Sequence, residues 1–407
     1  MTVAQPDVTV IIGAYEAMPY LAECLASVEA QTIDPERVEV VAVDDGSTDG
    51  TGRCLEEFAD RAPMPVTVIR QRNSGGPSGP RNVGLARASG RYVFFLDADD
   101  RLGPEALERM VDMADRAGTD VVLGRIEGVN RGAPKSMWGR TLERTDVYSS
   151  NIKYTLSAQK LFRRALLERH GMRFDESLWT GEDALFTMEA YLRADGVSVV
   201  ADYTCYYLVG RTDGKHVTKS GGYTLRFDSA RALMDLIAAL VPAGPRRDLL
   251  MLRPFTITLL PQFGPVFLRD TDEVRARKLE LAQPLMERHW TEGVARLLKV
   301  EERLRLHLVA ERRPELLLGV LRLRTKERPP AVLKRRGRRV YLAYPYYGDR
   351  EAGIPDSVYL ASPREARAVP GYCEDGTPAV LRRAVRKVRR LLRASRGVKP
   401  GGKAAAA

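Results

Sequence analysis

The sequence predicts an α/β fold in which a sheet carries helices on both faces, and two observations predict it. Four apolar, β-favouring runs alternate with segments of helical spacing over the first hundred residues, and the fourth run, RYVFFLDADD, ends in carboxylates. Such alternation needs crossover helices and therefore parallel strands. In open α/β sheets ligands settle beyond the carboxyl ends of the strands, and hard oxygen ligands such as Asp97, Asp99 and Asp100 at that edge suit Mg2+ or Mn2+ bridging a diphosphate. An Asp-x-Asp triplet is, by itself, equally an ordinary solvated acidic loop.

The elements follow in order. VTVIIGAY reads as a buried strand, Met18 to Thr32 places Leu21, Leu25 and Val28 at helical spacing, and VEVVAVDDGSTDGT gives a second strand and its turn. Thr51 to Ala62 reads as a helix, PVTVIRQ as a third strand, and NSGGPSGPRNVG as a glycine-rich loop entering a helix ahead of RYVFFLDADD. Pro104 to Gly118 reads as a helix, TDVVLGRI as a strand, and an irregular polar stretch runs to about Tyr154. A helix is expected over Ser157 to His170, another over GEDALFTMEAYLRADG, and a strand over VSVVADYTCYYLV. These elements make a catalytic domain over residues 1–225.

Residues 226–326 are helical almost throughout, broken at Pro242, Pro254 and Pro261, and read as a helical subdomain. Residues 327–377 start with a linker-like ERPPAVLKRRGRR and continue into RVYLAYPYYGDREAGIPDSVYLAS, which reads as short strands of a small β module. Residues 378–407 hold a basic helix with Leu381, Val385, Val388 and Leu392 on one face, then a disordered tail.

At 407 residues, 44% hydrophobic and 29% charged, the composition is that of a folded globular protein. The N-terminus lacks a basic region followed by an apolar core, and the longest mostly apolar run, near Leu249 to Pro261, is interrupted by Arg253 and Pro254, so neither signal peptide nor membrane span is expected. Cys24, Cys54, Cys205 and Cys373 are scattered without CxxC pairing, which fits reduced thiols in a cytoplasm. The net charge of +11 is uneven. Ten cations and no acid follow Asp375, and nine cations between Arg322 and Arg339 face Glu327 alone, leaving the catalytic part acidic. Basic segments of this kind would attract a polyphosphate, and residues 378–399 would lie on an anionic membrane surface at the inner leaflet. A solvated basic helix packed on the protein is the alternative. Nucleic acid is disfavoured, because the tail has no aromatic residue to stack on bases.

Taken in order, VIIGAYE, VDDGSTD, NSGGPSGPRNVGL with FFLDADD, and GEDALF resemble the family 2 glycosyltransferases with the GT-A fold, over roughly Val8 to Thr218. The resemblance implies a UDP-sugar donor, with Tyr15 as a stacking face for uracil and Asp45 as acceptor for the uracil imide proton. Glu16 stands beside them where the family often shows Asn, and Asn73 and Arg81 match positions for nucleotide contact. Asp97 is implied for the ribose or the metal, Asp99 for the metal directly, His216 as a second metal ligand, and Arg211 for diphosphate charge, while Asp100 reads as a helix or loop cap. Asp183 resembles the general base, Glu182 holds acceptor or base, and Trp179 forms an acceptor-side wall. The reaction so implied is a single inverting displacement assisted by Mn2+ or Mg2+.

From the residues alone, other readings stand beside these. Tyr15 could be a core aromatic, Asp45 an Asx-turn cap, Arg81 a surface arginine, His216 an exposed loop histidine, and Glu182 with Asp183 first-turn acids favoured by the helix dipole.

Further along, SAQKLFRRALLERHGMRFDESLWTGEDALF and CYYLVGRTDGKHVT are similar to transferases that place N-acetylglucosamine on poly(ribitol phosphate) wall teichoic acid. That implies UDP-GlcNAc, a polyhydroxylated polyphosphate acceptor, and a homo-oligomer formed through the C-terminal region. Another polysaccharide or lipid-linked acceptor with a different UDP-hexose stays open, as does a non-catalytic binding or assembly protein on the same fold. A sugar-1-phosphate nucleotidyltransferase should show a glycine-rich phosphate loop with a lysine after the first strand, where this chain reads GAYEAMPY.

Overall fold

A computed structural model describes residues 5–211, 222–326, 333–336 and 339–369. His216 and the basic segment 378–399 lie outside the described residues. The chain divides into two compact units, Met1–Gln262 with Ala276–Val294, and Phe263–Arg275 with Ala295–Ala407.

The first unit is built on a sheet. Strands β1 (Val8–Ala14), β2 (Val38–Asp44), β3 (Val66–Arg70) and β4 (Tyr92–Asp97) alternate with helices α1 (Tyr20–Glu29), α2 (Thr51–Arg61) and α3 (Ser78–Arg87). Next come β5 (Arg101–Leu102), α4 (Ala106–Ala117), β6 (Val121–Val129), β7 (Leu142–Thr145), β8 (Leu161–Arg163), α5 (Arg164–Arg169), α6 (Glu182–Arg193) and β9 (Val197–Val209). The order across the sheet is β3-β2-β1-β4-β8-β6-β9-β5, with β7 paired to β9. β1 pairs parallel with both β2 and β4, in the registers Val8↔Val38 and Val8↔Tyr92. β8 inserts antiparallel between β4 and β6, so the sheet is mixed.

β1 and β4 are buried on both faces, which is why they read as unbroken apolar runs. Phe94 and Leu96 point to the face packed by Leu21, Leu25, Leu107 and Met110 of α1 and α4. Phe95 points to the other, where it meets Phe162, Phe174 and Phe186 edge-on at 5.0 to 5.9 Å. Phe186 stacks on Phe174 at 4.1 Å, so this aromatic cluster pins α6 to the sheet. On α3, Gly84 faces Ile11 so closely that a Cβ would collide with its side chain, and the helix can therefore settle against β1.

The expected helix over Ser157 to His170 is not what forms. Leu161–Arg163 is a strand between β4 and β6, and the helix is confined to Arg164–Arg169. Leu161 and Phe162 fill buried slots in the sheet, and that tertiary demand overrides local spacing.

Beyond the sheet, α7 (Tyr223–Leu240), α8 (Pro245–Arg253) and a π-helical turn (Pro254–Leu259) are followed by α9 (Pro265–Arg269), α10 (Asp272–His289), α11 (Glu292–Leu297), α12 (Val300–Ala310) and α13 (Pro314–Lys326). Among the described residues no helix is long and apolar enough to cross a membrane. In the second unit, Leu333–Arg336 (β10) and Arg339–Leu342 (β11) form an antiparallel pair, and Pro363–Ala368 (α14) closes the described chain. The segment read as several short strands contributes one strand, β11, and an isolated antiparallel bridge between Tyr341 and Leu360. Pro345, Gly348, Gly353 and Pro355 break the rest into turns, while β10 forms where a linker was expected. Arg303 of α12 donates to Val358 O and Leu360 O, holding this module together.

Candidate active site

Parallel pairing of β1, β2 and β4 brings Ala14, Asp44 and Asp97 to one edge of the sheet. Tyr15, just past β1, is 54% exposed, as a stacking face must be. Glu16 has a positive φ of 47°, and its carboxylate accepts from Thr48 N at 2.8 Å and Thr48 Oγ1 at 3.0 Å, bracing the turn after β2. Asp45 is 2% exposed and accepts from Gln71 Nε2 at 2.5 Å and Ser74 Oγ at 2.9 Å, with Ser74 N at 3.1 Å. It thus ties β2 to the glycine-rich loop. The Asx-turn positions belong to Asp44, which accepts from Ser47 N, and Asp49, which accepts from Thr51 N. Asn73 accepts from Gly75 N at 2.9 Å and shapes the same loop.

The acids after β4 have separate partners. Asp97 accepts from Arg81 Nη2 at 2.8 Å through Oδ1 and from Gln159 Nε2 through Oδ2. Asp100 is 2% exposed and accepts from Tyr206 OH and Val209 N, each at 2.7 Å, so it fastens the β4 corner to β9 and caps no helix. Burial and the neighbouring Asp97 and Asp99 push its carboxyl up to about 8. Among the described residues Asp99 takes no donor from another residue; burial, then Asp97, raises it to about 6 while Arg211 pulls the other way. The Arg211 guanidinium donates to Glu16 O at 3.0 Å and lies 5.0 Å over Tyr20, so the end of β9 joins the same edge.

No group of three or more His, Cys, Asp or Glu among the described residues is gathered to hold a metal ion. The donor set nevertheless fits a hard cation held by Asp99 together with substrate phosphate, because Mg2+ is commonly bound through one or two carboxylates, phosphate oxygens and water. Asp97 already serves Arg81 and Gln159, which leaves Asp99 the better-placed ligand.

The second half of the site is the start of α6. Gly181, with φ 88°, turns the chain so that Glu182 and Asp183 occupy the first helical turn. Glu182 is 6% exposed, accepts from Arg81 Nη1 at 3.1 Å, and is pushed up to about 7 by burial and by Asp183. Asp183 accepts from Ala184 N at 2.7 Å. It is partly open at its surface yet set deep among protein atoms, and this desolvation lifts its carboxyl above the usual range while Arg81, Arg253 and Lys160 pull it down. Trp179 is 42% exposed on a groove of about 310 Å3 lined also by Thr180, Leu225, Asp228 and Arg231.

Arg81 is not a surface arginine. It is 8% exposed, lies 5.2 Å over the Phe174 ring, and bridges Asp97 to Glu182, so it joins the two halves of the site. Tyr15, Glu16, Asp45, Asn73, Asp97, Asp99 and Arg211 share the sheet edge, while Glu182 and Asp183 reach it through Arg81. Gln159 and Lys160 went unnoticed in the sequence. The one available signal was a lysine directly before the apolar pair Leu161 and Phe162.

Comparison with known proteins adds an independent finding. The model of the family described as "Glycosyl transferase family 2" matches residues 9–171, and that of the "Glycosyl transferase TarS linker domain" matches residues 225–321. The poly(ribitol-phosphate) beta-glucosyltransferase of Bacillus spizizenii is 39% identical over 234 residues, 57% of this chain and 36% of that protein. The chain therefore spans little more than a third of that relative's length. The poly(ribitol-phosphate) beta-N-acetylglucosaminyltransferase TarP of Staphylococcus aureus is 30% identical over 221 residues, 53% of this chain and 67% of that protein. Residues 1–349 of S. aureus TarS, crystallised with UDP-GlcNAc, superpose with a TM-score of 0.74 at 28% identity, covering 83% of this chain and 97% of that one.

Proposed function

Because the chain belongs to glycosyl transferase family 2, we propose that it transfers a sugar from a UDP-sugar, UDP-GlcNAc first, to a hydroxyl of a cell-envelope polymer such as wall teichoic acid. The observation that carries this reading is the placement of Asp183: accessible, desolvated, and linked through Glu182 and Arg81 to the acids at the sheet edge. The printed activities of the matched relatives, and the UDP-GlcNAc bound to the matched TarS structure, support donor and acceptor.

In the proposed reaction Tyr15 offers its ring to the uracil. Asp45 has about four lone-pair sites and spends most of them on Gln71 and Ser74, so it holds the loop and can accept one further proton donor. Arg211 faces the diphosphate side near Asp99. A divalent ion on Asp99 would supply charge neutralisation for the departing UDP. Asp183 takes the proton of the acceptor hydroxyl as its oxygen bonds to the anomeric carbon and the bond from that carbon to the phosphate oxygen breaks, with inversion. A carboxylate whose pKa burial holds above the usual range is a stronger base for this step than a solvated one.

A different hexose is the second reading, favoured by the glucosyl specificity printed for the B. spizizenii relative. UDP release should be measured with UDP-GlcNAc, UDP-Glc and UDP-Gal, with and without poly(ribitol phosphate) and EDTA. Acceptor-dependent release from UDP-GlcNAc, lost in EDTA, is expected, and Asp183→Asn should abolish it while UDP still binds. Near-normal turnover of that variant would refute the assignment of the base. Residues 378–399 are proposed to hold the enzyme on anionic membrane, and deleting 379–407 should reduce pelleting with anionic vesicles. A homo-oligomer through the C-terminal region is proposed likewise, and the mass in solution decides it.

A further inference from the structure

Trp179, Thr180 and Gly181 lead directly into Glu182 and Asp183, so what lies against them lies on the approach to the start of α6. That neighbour is α7. Ser229 Oγ donates to Thr180 O and holds the helix against this stretch of chain. Leu225, Asp228, Ala232 and Asp235 recur every three or four positions, so one face of α7 turns toward residues 178–180. Between them runs the groove of about 310 Å3, at the small end of ligand sites, which span about 300–1,000 Å3.

The charged walls of this groove are mostly acidic: Asp175, Asp228 and Asp235 stand against Arg231. Asp175 is spent locally, accepting from Ser177 N at 2.9 Å and from Ser177 Oγ at 2.6 Å. Arg231 lies 3.4 Å from Asp228 across one turn of α7, and both side chains are about half exposed, so water weakens the pair. Asp235 is backed by α10. Its Oδ1 lies 3.2 Å from Arg288 Nη1 and 3.4 Å from His289 Nε2. His289 is 5% exposed, and among the described residues neither its Nε2 nor Asp235 Oδ1, both buried, makes a hydrogen bond. Buried polar atoms without hydrogen bonds are rare and costly, and a pair of them behind a groove wall marks a place where a ligand's polar group belongs.

The lining discriminates between ligand chemistries. A phosphate would meet three carboxylates and an arginine that already has an acidic partner, and like charges brought together are costly. A neutral chain of hydroxyls would meet acceptors, because an ionised carboxylate takes O–H donors in strong charge-assisted bonds. The exposed Trp179 ring offers a negative face to the C–H side of the same ligand. We propose that this groove binds one neutral polyhydroxylated unit of the acceptor, a polyol or a pyranose, with Asp228 and Asp235 accepting from its hydroxyls and Trp179 covering its C–H face. Acceptor phosphates then lie outside the groove. The inference rests on the reading of Asp183 as the base facing an acceptor hydroxyl, and it names the part of the acceptor held beside that base.

The test is the affinity of the full chain, with UDP bound, for ribitol and for methyl β-D-glucoside, read by saturation-transfer NMR. At least one should bind saturably. Trp179→Ala should weaken it about fivefold, and Asp228→Asn or Asp235→Asn about tenfold, the loss of one hydrogen bond to a charged acceptor. Retained UDP affinity shows that each variant is folded. The asparagine variants also decide the chemical class, because removing a negative charge weakens a hydroxyl ligand and strengthens a phosphate. The KM for poly(ribitol phosphate) should therefore rise in them. A fall in that KM, no binding of either probe, or unweakened binding in Trp179→Ala or in both asparagine variants overturns the proposal. Should Asp235→Asn fail to hold UDP, Asp228→Asn decides by the same measures. Probe binding needs no turnover, so the two readings separate: a chain that binds the probe through these residues yet transfers no sugar removes the reaction alone. Transfer beside unweakened probe binding removes the groove alone.

Discussion

Arg81 Nη1 donates to Glu182 Oε1 at 3.1 Å, joining α3 to α6 across 101 positions of sequence. Both side chains are about nine-tenths buried, and the second amino group of the arginine is spent on Asp97. Breaking one side of a buried pair leaves an uncompensated charge, which costs about 3–5 kcal/mol. Arg81→Met should therefore lower the melting temperature by several degrees and abolish transfer, and the double variant Arg81→Met/Glu182→Gln should recover part of the stability. Thermal unfolding of the two variants checks it; a single variant that melts like the parent would contradict the bridging role.

Tyr15 is exposed, so its loss should be felt in binding and not in folding. Stacking of a base on an aromatic ring contributes about 1–3 kcal/mol. Tyr15→Ala should weaken UDP at least about fivefold by calorimetry with no change in melting temperature, and Tyr15→Phe should bind like the parent. Equal affinities for the alanine variant would show that the ring does not face the nucleotide.

The sheet centre was legible because β1 and β4 are buried on both sides and so appear as continuous apolar runs. β8 was not, since three residues are too short to display a period, and Leu161, Leu166 and Leu167 fit a helix as well as the strand and helix they belong to. The acids Asp45, Asp97, Asp99 and Asp183 could be named because each stands at the end of a strand or the start of a helix. Their partners could not. Gln159 reaches Asp97 over 62 positions, and the burial of Arg81 depends on how closely α3 approaches β1 at Gly84, neither of which leaves a local mark.

Asp99 and Asp100 are raised to about 6 and about 8, above the ordinary carboxyl value of about 3.9, so the folded state holds their protons more tightly than the unfolded chain. The stability this provides is complete below the unfolded value and is lost as pH rises through the folded ones. In EDTA the melting temperature should accordingly fall between pH 5 and pH 9, with Glu182, at about 7, adding to the slope. Asp100→Asn should flatten the fall above about pH 7, because its amide cannot ionise. Mg2+ with UDP should recover more stability at pH 8 than at pH 5, since a cation needs the ionised carboxylates. An unchanged slope in Asp100→Asn, measured by scanning calorimetry, would show that the acid titrates elsewhere.

Gly181 sets the direction of α6 and hence the position of Asp183. Its φ of 88° is strained for any residue with a Cβ, and a Cβ there would stand 2.8 Å from Ser229 Cβ and Oγ on α7. The left-handed conformation costs an L-residue about 1–2 kcal/mol, and relief of the overlap requires the first turn of α6 to move away from α7. Gly181→Ala should lower the melting temperature modestly and reduce kcat by about 100-fold, because a displacement near 1 Å suffices for a loss of that size. UDP affinity should be kept, since Tyr15 and Asp45 belong to other elements. Gly181→Ala/Ser229→Gly removes the overlap but not the strained φ, so it should regain part of the rate and leave the rest lost. A Gly181→Ala enzyme with parental kcat would mean that Asp183 is not held in place by this turn.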